Sequence, residues 1–398
     1  MGLKDFKIVF DNPWNTYYGG QTVTGRIVVV LDSPKRIRNI HVKIVGQANT
    51  CWSSDKQEQN NEGRYENETQ TVSAHEEYFS MKYYVVGSAS DSEIDLPIGE
   101  HVYPFTCSLP VNIPSSFESH YGHIRYTVKA IMDRPWKFDH EVKTAFTVIS
   151  MLNLNEEPGA AEPVQIELSK TFCCLCCGTA PLNVNVSLPV RGYVPGQSIP
   201  VKVNVENFSG VTVDSINLIL RKIITFHANS PRSETKKDKI VVTQVSKGPV
   251  EGGGTADYVQ NLDIPPVPPS NLKYCGIIDL VYNLKIEAHV SGWYHLNLKG
   301  STLIYIGTVP LINYQTPIAP PIEDYPTKPT DYPPEQPVLP SAPPAPSTNL
   351  YPELPPPSYE ESMYGAKSLR DRNESEHMLG IMSHFAPRYP VYKFTPPQ

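Results

Sequence analysis

The chain has 398 residues, of which 40% are hydrophobic and 19% charged, so it can bury a core and has room for about two to three domains. The 34 Lys and Arg against 41 Asp and Glu give a net charge of −7, which disfavours nucleic-acid binding because that needs a basic surface. Residues 1–6 lack the apolar core of a signal peptide, and no stretch approaches the roughly 18 apolar residues of a membrane span, so we expect a cytoplasmic protein.

Proline divides the chain into two parts. Half of the 40 prolines lie within residues 311–398, and the other half are spread over residues 1–310. Proline fixes φ and removes a backbone donor, so a dense run of it cannot form regular structure. We therefore predict a globular body at residues 1–310 and a disordered Pro-rich tail at residues 311–398.

The body has the alternation of half-buried strands. Residues 41–46 alternate strictly, and in residues 125–130 the side chains of Tyr126, Val128 and Ala130 fall on one face. Strands with one buried face and one solvent-exposed face are typical of antiparallel sandwiches. The body has no long stretch with the apolar spacing of a helix, so we predict an all-β fold.

The body also repeats itself. Three motifs recur in the same order, at separations between 155 and 176 residues: residues 17–23 at 193–199, residues 109–115 at 264–270, and residues 126–130 at 282–286. We interpret this as a duplication that gives two related sandwiches of ordinary domain size. A polar, breaker-rich segment divides them, so we predict domains at 1–152 and 171–310 and a linker or hinge at 153–170.

Three segments of the body resemble a known family. Residues 18–25, 122–130 and 191–197, in this order and spacing, are similar to arrestin-domain-containing proteins of the α-arrestin group. The resemblance covers residues 1–310 and the arrangement of body and tail. It implies two arrestin-type sandwiches that act as an adaptor for the cytoplasmic parts of receptors or transporters.

Four cysteines crowd together at the start of the second predicted domain, at Cys173, Cys174, Cys176 and Cys177. Four thiolates within five residues cannot readily close one zinc tetrahedron, and no second pair lies at zinc-finger distance, so we predict no metal site. The open interpretations are small buried or edge-strand residues, palmitoylation that anchors the hinge to a membrane, and, least favoured, a metal or redox role.

Basic residues cluster at Lys35, Arg36 and Arg38. On one face they could meet an anionic membrane surface or acidic cargo tails. The sequence favours the simpler interpretation, an ordinary solvated loop.

The clearest motif of the tail is Pro356-Pro357-x-Tyr359, which fits a WW-domain ligand. Prolines pre-form an extended segment whose rings enter an aromatic groove, and Tyr359 fills a second pocket. The alternative is an inert proline spacer that happens to contain a tyrosine. The family resemblance implies that such motifs recruit HECT-type ubiquitin ligases. Tyr392 belongs to a partial second copy and is either a weak second contact or incidental.

Two further tail motifs have open interpretations. Residues Pro340, Ser341, Ala342 and Pro343 resemble the tetrapeptide that binds ESCRT-I, and the alternative is a chance match in low-complexity sequence. Glu374 together with 378–379 resembles an acidic dileucine sorting signal, and the alternative is a short induced helix.

The chain carries no recognisable catalytic motif, so we predict a non-enzymatic protein without cofactor or catalytic residues. We expect a trafficking adaptor that links membrane-protein cargo to a WW-domain HECT ubiquitin ligase, promotes endocytosis and lysosomal sorting, and is recruited to plasma membrane and endosomes. The alternatives are a signalling or metabolic scaffold resembling thioredoxin-interacting protein, and an ESCRT-linked adaptor for vesicle budding.

Overall fold

The computed structural model describes residues 2–59, 65–89, 92–174, 177–292, 295–312, 314, 358–371, 374–375 and 377–394. Within these residues the regular structure is β, and helical structure is limited to a single 3-10 turn, η1 (Ser270–Leu272). The predicted all-β class with two tandem sandwiches is confirmed. No helix in the described part of the chain is long and apolar enough to cross a membrane.

The first domain is a sandwich whose strands are, in chain order, β1 (Leu3–Phe10), β2 (Thr16–Tyr18), β3 (Thr22–Leu31), β4 (Lys35–Ile37), β5 (Asn39–Gln59), β6 (Tyr65–Gly87), β7 (Ile94–Leu96), β8 (Gly99–Ser108), β9 (Phe117–Glu118), β10 (Gly122–Asp133) and β11 (His140–Ile149). One sheet has the order β1-β3-β8, and the facing sheet has the order β2-β11-β10-β5-β6. The predicted inward face of β10 is fully buried at Tyr126, Val128 and Ala130.

The second domain repeats this plan with β12 (Val164–Lys170), β13 (Cys173–Cys174), β14 (Cys177–Gly178), β15 (Leu182–Leu188), β16 (Gly192–Tyr193), β17 (Ser198–Asn207), β18 (Val213–Ala228), β19 (Glu234–Lys247), β20 (Thr255–Asp263), β21 (Ile278–Val290) and β22 (Leu298–Ile306). Its sheets have the orders β12-β15-β17-β20 and β16-β22-β21-β18-β19. In both domains the short strand of the repeated motif, β2 or β16, pairs in parallel with the last strand.

Matching hydrogen bonds show the duplication at atomic detail. The side-chain oxygen of Gln21 accepts from the Tyr18 backbone N–H at 2.8 Å, and Gln197 accepts from Val194 at 2.9 Å. Two buried tyrosines repeat in the same way: Tyr126 donates to the Pro114 carbonyl at 2.6 Å, and Tyr282 donates to the Pro268 carbonyl at 2.7 Å. The repeated Tyr and Gln therefore fix corresponding loops in both sandwiches, with Pro268, next to the repeated Pro269, as the acceptor in the second.

The two domains are in direct contact through the long strands β5 and β6 of the first sandwich. The Thr50 hydroxyl donates to the His227 carbonyl at 2.7 Å, and the Trp52 indole N–H donates to Glu234 at 3.1 Å. The domains are therefore joined by these side-chain hydrogen bonds as well as by the linker.

The linker is shorter than the predicted residues 153–170. Strand β12 already begins at Val164 and pairs with β15 along its whole length. The reason is visible in the sequence, because Val164, Ile166 and Leu168 alternate with polar residues in the manner of a strand. The remaining linker is itself anchored, since Leu154 and Ala160 are buried.

The C-terminal residues that the structure describes pack against the body. Strands β23 (Ser358–Glu361) and β24 (Arg388–Val391) pair antiparallel with each other. The prediction of a disordered tail did not include this packing. Residues 315–357, which contain Pro340, Ser341, Ala342, Pro343, Pro356 and Pro357, lie outside the described residues, as does Cys176.

Candidate partner-binding site

The tyrosine of the predicted WW-ligand motif lies against the body. Tyr359 sits in β23 opposite Pro390 of β24, and its side chain is half-buried. Its hydroxyl donates to the Tyr18 hydroxyl at 3.4 Å, and Tyr18 lies in β2 of the first domain. Burial raises the pKa of both phenols, so both are neutral at physiological pH. The motif tyrosine is thus engaged by the chain itself.

Strand β24 is anchored on the first domain by Tyr389. This side chain is only 1% exposed, and its hydroxyl donates to the Ser116 carbonyl at 2.8 Å. The neighbouring Arg388 backbone N–H donates to the Thr147 hydroxyl at 3.1 Å. A buried aromatic ring with a satisfied hydroxyl is a strong local anchor, so β24 holds its partner β23 in place.

Tyr392 continues this anchor onto the second domain. Its backbone N–H donates to the Pro195 carbonyl at 3.0 Å, and its buried hydroxyl donates to the Thr308 carbonyl at 3.0 Å. Gly196 has φ of +90°, and a Cβ there would lie 2.1 Å from the Tyr392 carbonyl oxygen. Tyr392 therefore packs against the second domain, and Gly196 of the repeated motif leaves the space that the Tyr392 backbone occupies.

A buried lysine holds the middle of the C-terminal segment. Lys143 of β11 is 3% exposed, and its ammonium lies 2.7 Å from an Asp371 oxygen and 2.8 Å from a Glu374 oxygen. It also donates to the Leu369 carbonyl at 2.9 Å. Three acceptors surround the ammonium, so its charge is compensated only while the segment is docked.

The same segment covers an open strand edge. Strand β2 pairs with β11 only at Thr147–Ile149, and further along β11 the Leu379 backbone donates to Glu141 and accepts from Lys143, both at 2.9 Å. Backbone pairing of this kind satisfies an edge that would otherwise be exposed. Met378 is buried beside it. The residues of the dileucine-like motif, Glu374 and Met378, are therefore used in intramolecular packing.

A contact to the second domain is made by Tyr364. The Lys222 ammonium lies 3.6 Å from the centre of the Tyr364 ring, which is a cation–π geometry. Lys222 is a buried residue of β18, and burial lowers its pKa to about 8. The Tyr364 ring thus covers a cation that the fold has removed from water.

Of the cysteine cluster, Cys173 and Cys174 form β13, which pairs antiparallel with β14 at Gly178 and Cys177. Palmitoylation of the cluster stays a prediction. Elsewhere burial raises the pKa of the Cys107 and Cys275 thiols, so both are protonated and poor nucleophiles at neutral pH. No group of three or more His, Cys, Asp or Glu is placed to hold a metal ion in the described ranges.

The sequence motif singles out Tyr359 but does not indicate the residues that hold it against the body. Lys143 and Tyr389 stand in ordinary alternating segments, and nothing local marks their partners more than 220 residues away. A weak signal existed in residues 388–392, where aromatic and β-branched residues interrupt a polar, Pro-rich tail.

Comparison with known proteins agrees with this architecture. The family described as Arrestin (or S-antigen), N-terminal domain, matches residues 6–155, and its C-terminal counterpart matches residues 179–311. Arrestin domain-containing protein 17 of Caenorhabditis elegans is 29% identical over 98% of this chain and 99% of its own length. Arrestin domain-containing protein 4 of Mus musculus is 27% identical over 77% and 72%, and arrestin domain-containing protein 1 of Homo sapiens is 28% identical over 71% and 60%. With both of its sandwiches matched in order, the chain belongs to the arrestin family as an arrestin-domain protein of the α-arrestin group.

Proposed function

We propose that this chain is a trafficking adaptor that links membrane-protein cargo to a WW-domain ubiquitin ligase of the HECT type. Membership of the arrestin family supports the coarser role, an adaptor in protein trafficking. The observation that carries the finer role is the Pro356-Pro357-x-Tyr359 motif, which follows two arrestin sandwiches. The ligase supplies the chemistry, and modified cargo is internalised from the plasma membrane and sorted through endosomes towards lysosomes.

The contribution of this chain is proximity. The sandwiches bind the cytoplasmic part of the cargo. The stretch of chain that connects Ile312 to Ser358 keeps the ligase close to that cargo. Linking two binding events in one chain raises the effective concentration of the second partner without any new contact. Cargo lysines near the sandwiches are then within reach of the ligase.

The docked form and the ligase-bound form exclude each other at Tyr359. A WW domain needs an extended ligand whose tyrosine enters a pocket of the domain. In the docked form the backbone of Tyr359 is paired with β24 and its hydroxyl contacts Tyr18. We therefore infer that ligase binding requires release of β23, so that the apparent affinity is lowered by the fraction of molecules that stay docked.

Tyr359→Ala tests the proposed function. We expect the affinity of the full chain for a WW domain to fall by about 30-fold or more, because loss of a pocket-filling aromatic at a hot spot costs about 2 kcal/mol or more. Tyr351→Ala is the matched control, since it removes a tyrosine of the same tail outside the motif. Equal WW binding by both variants and the unaltered chain, measured by isothermal calorimetry, would refute the ligase link.

A further inference from the structure

The loop between β10 and β11 exposes two large aromatic side chains at its tip. Trp136 is 99% exposed and Phe138 is 94% exposed, the highest values among the exposed large hydrophobic residues of the described chain. Apolar surface of this size is unfavourable in water, and adjacent exposed aromatics mark an interaction site. The packed core of the domain does not use either ring.

The loop is held in this outward form. The Arg134 guanidinium donates to the Phe138 carbonyl, with Nε at 2.8 Å, and the Arg134 backbone N–H donates to Asp139 at 3.1 Å. Trp136 has φ of 61°, a left-handed conformation that bulky residues rarely adopt. Strained backbone of this kind persists where the surrounding bonds impose it and is frequent at functional sites. The aromatic tip is thus a preformed protrusion.

Two cations of the basic cluster near this loop, Arg36 and Arg38, are paired with carboxylates. Arg36 lies 3.0 Å from Asp95, and Arg38 lies 2.9 Å from Asp133. These ion pairs neutralise both guanidinium groups locally. Of the basic run in the sequence, Lys35 has no such ion pair among the described residues.

The loop carries two other cations, Arg134 and Lys137, and Lys35 lies at its base. Its ammonium lies 3.2 Å from His140 of β11, at the base of the same hairpin. Burial, the charge of Arg134 and that of Lys137 lower the pKa of Lys35, while the carboxylate of Asp32 raises it. Burial and the same charges of Arg134 and Lys35 lower the pKa of His140 to about 4, so this ring is neutral at pH 7.

We propose that this hairpin tip, formed by Trp136 and Phe138 with the cations Lys35, Arg134 and Lys137, docks onto an anionic membrane surface. Tryptophan favours the interface between lipid headgroups and acyl chains, and basic side chains beside it are attracted to anionic lipid. A convex tip with rings pointing outward suits a soft bilayer interface, which needs no preformed cleft to receive it.

The position of the tip is compatible with this role. Strand β10 pairs through Asp133 with Asn39 at the tip end, and through Gly122 with Thr50 at the end that contacts the second domain. These ends are roughly 36 Å apart along a 12-residue strand. Contact between the tip and a membrane would therefore leave the second domain accessible. The proposal is independent of ligase binding.

Co-sedimentation of the full chain with vesicles tests the proposal. We use phosphatidylcholine vesicles with and without about 30% phosphatidylserine. We expect binding to the anionic vesicles to fall on the order of tenfold or more in the double variant Trp136→Ala/Phe138→Ala, because both rings lose their place in the interface. Lys137→Ala should weaken binding by a few-fold and reduce its dependence on salt.

The matched control is Phe208→Ala/Leu296→Ala, which removes two exposed apolar side chains of the second domain and should bind as the unaltered chain does. Tryptophan emission gives a second readout, since insertion of Trp136 shifts it to shorter wavelength and Trp136→Phe abolishes that shift. Absence of vesicle binding, or equal binding by the tip variant and the control, overturns the proposal and would leave a protein partner as the ligand of the aromatic tip.

Discussion

Tyr389→Ala is expected to raise the affinity of the full chain for an isolated WW domain by about tenfold or more. Truncating a buried aromatic side chain costs roughly 3–5 kcal/mol, and each 1.4 kcal/mol is about a factor of ten in an equilibrium. The loss falls on the docked form alone, because Tyr389 contacts the body through Ser116 only when β24 is in place. More molecules then present Tyr359 to the added WW domain, and calorimetric titration measures the change in affinity.

Two measurements bracket this result. Tyr389→Phe keeps the ring and loses only the hydrogen bond to Ser116, which is worth about 1 kcal/mol, so its effect should be several-fold smaller. A synthetic peptide of residues 350–365 carries the motif without the body and sets the upper limit of affinity. If the unaltered chain already binds the WW domain as tightly as the peptide does, binding does not require release of β23. The proposed ligase link is tested separately, by Tyr359→Ala.

Lys143→Met is expected to release the C-terminal segment from the first domain. Removing one partner of a buried ion pair costs roughly 3–5 kcal/mol, because the remaining charges are left uncompensated. Here Asp371 loses its ion pair and Glu374 keeps only the longer one, 3.7 Å from Lys129, until both carboxylates regain water when the segment leaves. Hydrogen exchange of residues 377–392 should therefore accelerate by about two orders of magnitude or more, while exchange in β10 is unchanged.

A charge-matched variant separates this electrostatic cause from simple loss of packing. Asp371→Asn and Glu374→Gln added to Lys143→Met remove the orphaned charges, and exchange should slow again towards the original value. Lys202→Ala removes an exposed lysine of the second domain and should have no effect on the segment. Exchange that stays fast in the triple variant would show that the ion pair is not what holds the segment.

Both predictions concern the same arrangement. The chain carries a predicted WW-ligand motif, and its C-terminal segment holds Tyr359 of that motif against the body. The contacts of this segment are divided over the molecule, with those of Tyr389 and Lys143 on the first domain and those of Tyr392 and Tyr364 on the second. Release of one contact weakens the others because they share a short segment. A partner that competes for any of these surfaces would therefore also expose Tyr359.

The sequence by itself determined the β-sandwich class, the duplication and the motif at Pro356, Pro357 and Tyr359. These features are local, because alternation of period two reports which side of a strand is buried, and repeated Tyr-x-x-Gly-Gln motifs report repeated loops. The alternation of Val164, Ile166 and Leu168 is equally local and marks the start of β12 within the predicted linker.

Only the tertiary structure decided which distant groups meet. The partners of Lys143 and Tyr389 lie more than 220 residues away, and no pattern along the chain encodes such a pairing. The same holds for charge, since Arg36 meets Asp95 and Lys35 meets His140 only in the folded domain. Local periodicity fixes the elements, whereas burial, ion pairing and the covering of Tyr359 depend on how the finished sandwiches and the C-terminal segment pack.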